Sequence, residues 1–183
     1  MNYKDQRVGV FVDIQNLYHS ARHLYNNARV NFGEVLKTTV GGRKLIRSIG
    51  YVVKSDTALG ESAFFDALKK SGIEPKMKDL QIFPGGAKKA DWDVGIAVDA
   101  IRFSESLDVV ILVTGDGDFV PLVQYLQQGR GIQVEVASFG RSTSSRLREA
   151  ADVYLNLDDD PKFLLEAKRR RVSRPIRKTT KRK

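Results

Sequence analysis

Hydrophobic and polar positions along this chain switch repeatedly between two periods. Residues 7–12 (RVGVFV) form a short apolar run that ends at Asp13. Directly after it, Ile14, Leu17, Tyr18, Ala21, Leu24, Tyr25 and Ala28 recur at three- and four-residue spacing, one face of a helix. The same cadence then repeats. Residues 44–53 read as a strand and 61–70 as a helix that stops at Gly72. Residues 76–83 read as a short strand leading into the loop 84–91 (PGGAKKAD). The helix over 92–103 is apolar on several sides, which predicts deep burial. Residues 109–113 (VVILV) form a continuous apolar run bounded by turn signals, as in a strand covered on both faces at the centre of a parallel sheet. A helix over 119–128 follows, closed by Gly129 and Gly131, then a strand at 132–137, a helix at 144–151 and an edge strand at 153–157. Strands alternating with helices predict an α/β domain with a mostly parallel central sheet.

Charge changes the picture because it is unevenly placed. The 183 residues carry a net +9, yet residues 166–183 alone hold ten Lys or Arg and one acid. The preceding 165 residues balance 21 bases against 21 acids, so the body is neutral. Such a basic block buries too little apolar surface to offset chain entropy and is expected to be disordered unless bound. Nucleic acid is the partner that this charge fits, a solubilising or targeting tail being the plainer alternative. The absence of cysteine excludes disulfides, thiolate zinc sites and cysteine nucleophiles, and it fits a reducing compartment. The first residues lack an apolar signal core, and no apolar run approaches the roughly 18 residues that span a bilayer. The expectation is a cytoplasmic protein with no membrane partner.

Ligands of open parallel sheets bind beyond the carboxyl ends of the strands. Two groups of acids fall at such ends: Asp13 after the first strand, and Asp116 with Asp118 after VVILV. Helix capping and turn chemistry account for any one of them, since Asp is favoured at N-caps and Gly115 and Gly117 suit a tight turn. Their joint placement is what favours a site. Asp93 opens the next buried helix, where an acid also suits the first turn. Asp99 lies six residues on, about 120° round the helix, and needs a cation, a metal or a hydrogen bond if it is buried. Carboxylates gathered without Cys make a hard oxygen site suited to Mg²⁺ or Mn²⁺, which can polarise a phosphodiester and acidify water.

Other constellations are weaker. His19 and His23 are spaced i,i+4, but the Glu of a zinc-protease motif is absent and both lie opposite the apolar stripe, as solvated residues do. The loop 84–91 lacks the Gly-Lys-Ser/Thr of a phosphate loop. Arg141 and the hydroxyls of Ser142, Thr143 and Ser144 lie where a helix begins, and they either favour an anion or simply cap the helix. Trp92 reads as packing rather than a base-stacking platform.

Four segments in order resemble the NYN domain of the LabA-like group, within the PIN-like nuclease superfamily. They are FVDIQNL at 11–17, KKADWDVGIAVDAI at 88–101, VVILVTGDGDFVPLV at 109–123 and SSRLREAADVYLNL at 144–157. The resemblance covers about residues 7–157. It implies a three-layer PIN-like, Rossmann-like α/β domain over 1–165, followed by the disordered basic tail 166–183. It further implies a Mg²⁺- or Mn²⁺-dependent ribonuclease cutting single-stranded RNA. Asp13, Asp93, Asp116 and Asp118 would be the catalytic, metal-holding acids, with Asp99 secondary. Asn16 would orient Asp13 or contact a phosphate, and Lys89, Arg141 and Ser144 would contact substrate. RNA is the expected partner, drawn by the tail and the loop 84–91, and the oligomeric state, a homo-oligomer included, stays open. A non-catalytic RNA-binding or regulatory protein is the competing reading. Toprim-like and phosphatase-like enzymes rank below it. The former want a Glu after an early strand, and the latter an Asp-x-Asp directly after the first.

Overall fold

The computed structural model describes residues 4–54, 61–79, 81–82, 88–89 and 91–165. Its centre is a six-stranded sheet built from β1 (Arg7–Asp13), β3 (Lys44–Lys54), β4 (Glu74–Asp79), β7 (Val109–Val113), β8 (Gln133–Ser138) and β9 (Val153–Asn156). Every neighbouring pair is parallel, in the order β4-β3-β1-β7-β8-β9. The chain winds outward from β1 to β4, then crosses back to β7 and winds the other way. The order therefore reverses between β1 and β7, where a crevice opens beyond the strand ends.

Alternation along the strands builds the two faces. Val8, Val10 and Val12 of β1, with Val109, Ile111 and Val113 of β7, point to one core. There they meet α1 (Ile14–Leu24), α2 (Phe32–Val40) and α3 (Glu61–Lys70) through Leu17, Ala21, Val35, Leu36 and Leu68. Phe11, Val110, Leu112, Val134 and Val136 point the other way. They meet α4 (Asp93–Phe103), α5 (Val120–Gln124) and α6 (Ser145–Ala150) through Ile96, Ala100, Leu122, Val123 and Leu147. This is the three-layer α/β arrangement expected. All five residues of β7 are buried, as a strand covered on both faces requires.

Several boundaries differ from the periodic pattern. Helix α1 stops at Leu24 rather than continuing to Ala28, because Asn26 and Asn27 take left-handed conformations (φ 49° and 58°) that break it. Helix α2 and the short strand β2 (Arg29–Val30), paired antiparallel with β10 (Leu164–Leu165), add to the elements expected. The helix expected over 119–128 is three pieces: a 3₁₀ turn at Gly117–Phe119, then α5, then a widened π turn at Tyr125–Gly129. Within the loop expected at 84–91, Lys88–Lys89 form β6, antiparallel to β5 (Gln81–Ile82). The rest of that loop, apart from Asp91, and the tail 166–183 lie outside the described residues.

The deep burial expected of α4 is overturned. Only Ile96, Asp99 and Ala100 are buried, while Val94 is 73% and Val98 55% exposed. The reason is topological: α4 lies over one layer of the sheet, and nothing among the described residues covers its outer side.

Candidate metal centre at the carboxyl edge of the sheet

The crevice between β1 and β7 gathers the acids. Asp13 is the last residue of β1 and the N-cap of α1; its Oδ1 accepts the Asn16 N–H at 3.0 Å. Asp116 follows β7 and caps the 3₁₀ turn by accepting the Asp118 N–H at 3.0 Å. The capping role thus holds for both residues, and it serves to fix their carboxylates in place. Helix α4 starts at Asp93 across the crevice. One ligand oxygen each from Asp93, Asp116 and Asp118 lies within 4.8 Å of the others. Asp13 stands outside this tight trio but within its field: Asp93 and Asp116 both push its pKa upward.

The supporting contacts are specific. The Asn16 Oδ1 accepts the Gly115 N–H at 2.9 Å, pinning the loop after β7 to α1. Thr114, buried and given no role by the sequence reading although it lies within the segment 109–123, donates its hydroxyl toward Asp13 Oδ2 at 3.5 Å and accepts the Asp116 N–H at 3.2 Å. Ser144 donates its N–H to the Gly115 carbonyl at 2.9 Å. A Cβ on Gly117 would lie 2.7 Å from the Ser144 Oγ, so only glycine lets these two loops approach. Trp92, ahead of α4, donates its indole N–H to the Val52 carbonyl at 3.0 Å and packs on Tyr51. A Cβ on Gly95 would fall 2.5 Å from the Trp92 ring, so that glycine seats the ring and, with it, the helix end carrying Asp93.

The electrostatics mark a charge problem. Burial lifts the Asp13 pKa to about 6, with Asp93 and Asp116 adding to the effect. Asp93 is raised first by burial and then by repulsion from Asp116, Asp91 and Asp118. No Lys or Arg among the described residues forms an ion pair with Asp13, Asp93, Asp116 or Asp118. The chain has no cysteine and both histidines are exposed on α1, so the donors are all oxygen. This donor set fits a hard divalent ion.

Two residues singled out from sequence go elsewhere. Asp99 is buried and receives the Tyr51 hydroxyl at 2.8 Å and the Lys76 ammonium at 2.7 Å. The cation that its burial demanded is therefore supplied from β4, and Asp99 is no member of the carboxylate trio. Arg141 lies over the Tyr25 ring and donates to the Leu24 carbonyl at 3.3 Å. That is the far end of α1, about 16 Å of helix from Asp13. Asn16 acts through its backbone on Asp13 and through its side chain on Gly115. Lys89 sits in β6.

A model of the NYN domain family matches residues 7–158. The chain belongs to the NYN domain family. NYN domains are part of the PIN-like nuclease superfamily, and this one is LabA-like. It is 24% identical to the low amplitude and bright protein LabA of Synechococcus elongatus, over 96% of this chain and 98% of that protein. An uncharacterized protein of Methanocaldococcus jannaschii is 27% identical over 64% of this chain, which spans about half, 47%, of that relative. The crystal structure of a Vibrio parahaemolyticus protein of unknown function superposes with a TM-score of 0.81 at 31% identity, covering 90% of this chain and 99% of that one. No helix among the described residues is long and apolar enough to cross a membrane.

Proposed function

We propose that this NYN domain is a Mg²⁺- or Mn²⁺-dependent ribonuclease that hydrolyses single-stranded RNA with little sequence readout. The observation that carries the proposal is the trio Asp93, Asp116 and Asp118, converging at the switch point of a parallel sheet with no cation among the described residues paired to it. These carboxylates would hold a divalent ion, which would supply polarisation of a phosphodiester and a more acidic water. The protein's own part is positioning. Asp93, from the far side of the crevice, and Asp116 and Asp118, from one tight turn, offer oxygens from two directions. Asp13 adds a fourth negative charge beside them. Asn16 and Thr114 hold the loop in register, and the Ser144 hydroxyl, packed beside Gly117 next to the acids, is the group of this loop that we assign to the substrate. Lys89 and the basic tail provide the positive charge that an acidic centre needs to attract a polyanion.

The test is RNA cleavage in Mn²⁺ by the intact chain, by Asp116→Asn and by a truncation after Leu165. Metal-dependent cleavage that Asp116→Asn loses supports catalysis. Cleavage by the intact chain no faster than by the variant refutes it and leaves RNA binding as the function. If the tail pairs with about six phosphates of a single strand, its removal flattens the log–log salt dependence of binding by about four units while leaving the chemistry intact. An unchanged slope dismisses the capture role.

A further inference from the structure

We propose that the groove beside the acids is a nucleobase subsite, taking the base of a nucleotide adjacent to the cleaved phosphate. The inference rests on the ribonuclease reading above and names what else that site holds. The groove has a volume of about 360 Å³ and runs between α4 and the segment formed by α5 and the π turn. Asp93 and Asp118 line it at the metal centre, and Val94, Ile101, Pro121 and Tyr125 line it beyond. Three of these apolar side chains stand open to water: Val94 at 73%, Tyr125 at 46% and Ile101 at 37% exposure. Along α4, Val94, Ala97 and Ile101 follow the spacing of a core-facing stripe, yet no described element covers them.

An apolar groove that shares two carboxylates with a phosphate-handling site calls for an apolar group tied to a phosphate. A nucleobase is flat and hangs one sugar away from its phosphate, and the groove lies at the small end of the roughly 300–1,000 Å³ typical of ligand sites. Apart from the two acids, the Tyr125 hydroxyl is the only hydrogen-bonding side-chain group that the described residues bring to the lining. The groove therefore offers a stacking face and almost nothing to read a base edge, which is sequence-tolerant recognition. A second copy of the chain is a poorer occupant. The exposed apolar side chains here are a handful, against about 20–30 residues a side in a stable interface. A partner seated on them would also cover Asp93 and Asp118.

The experiment measures binding without cleavage, using oligo(U) and the intact chain with Ca²⁺ as the divalent ion. Fluorescence anisotropy compares the wild type, Tyr125→Ala and Tyr125→Phe on intact oligo(U) and on oligomers with single abasic residues. 5-Iodouridine at successive positions reports the contact by photocrosslinking. The expected result is an increase of about ten-fold in Kd for Tyr125→Ala, recovery in Tyr125→Phe, and no further loss when the variant meets one particular abasic position. The crosslink should map to the peptide carrying Tyr125. Unchanged binding by Tyr125→Ala, crosslinks confined to other segments, or a wild-type dimer in sedimentation that Val94→Glu dissociates would each overturn the subsite. A chain that stacks bases here but cuts no RNA refutes the ribonuclease reading alone. One that cuts RNA with Tyr125→Ala unaltered refutes the subsite alone.

Discussion

Replacing Asp13 by asparagine should make the metal-free protein more stable at neutral pH. Asn and Asp cap helices about equally well, so α1 keeps an acceptor for the Asn16 N–H. What changes is a buried charge. The Asp13 pKa rises from 3.8 to about 6, chiefly through burial. Between these two values the folded state binds more protons than the unfolded chain, so stability falls as pH rises through that window. Below it the penalty is absent, and above it the penalty is complete. A gap of about two units, at about 1.4 kcal/mol each, sets a ceiling of about 3 kcal/mol. For a domain of this size that is on the order of 6–12 °C in Tm. The assay is urea unfolding in EDTA at about pH 7.5 and about pH 3.5. The Asp13→Asn variant should gain up to about 3 kcal/mol over the wild type at the higher pH and almost nothing at the lower. Saturating Mn²⁺ should narrow the gap, because a ligand at about 100-fold its Kd stabilises the wild type by about 2.7 kcal/mol, and the variant, with one negative charge fewer beside the trio, binds the ion more weakly and gains less. A variant less stable than the wild type at neutral pH, or one with the same advantage at both pH values, would refute the reasoning.

Three further outcomes follow from contacts around the site. Asp99→Ala leaves the buried Tyr51 hydroxyl without its acceptor and should cost about 1–3 kcal/mol in urea unfolding, while Mn²⁺ affinity by calorimetry stays at the wild-type value. Gly95→Ala drives a Cβ into the Trp92 ring and should cost about 1–3 kcal/mol, with a shift in the emission of the chain's one tryptophan. Arg43→Met strands the buried Glu135 carboxylate, which Arg43 grips with two nitrogens at 2.7 and 2.8 Å, and should lower stability by about 3–5 kcal/mol at neutral pH by chemical denaturation.

The strands are legible because buried parallel strands must be apolar on both faces, and β7 is apolar at every position. The acids are legible because they follow such strands, where no apolar pattern calls for them. Helix α2 carries its own signals, with Asn31 accepting the Glu34 N–H and Gly41 left-handed at its end. Its β-branched Thr38-Thr39-Val40 run blurs the helical pattern. The outward face of α4 escapes the sequence because periodicity counts apolar residues without showing what covers them. Asp99 and Arg141 find their partners on β4 and at the end of α1. Those are long-range contacts that local sequence cannot place, as is the Thr114 bridge between two acids about 100 residues apart in the chain.

The central claim is that Asp93, Asp116 and Asp118 are drawn together to hold a divalent ion. Anomalous diffraction from crystals soaked in Mn²⁺ tests it most directly. The account predicts a peak between these three carboxylates, with oxygens at about 2.1 Å, that disappears in Asp116→Asn. An empty trio at saturating Mn²⁺, or a lysine ammonium seated among the carboxylates, would contradict it.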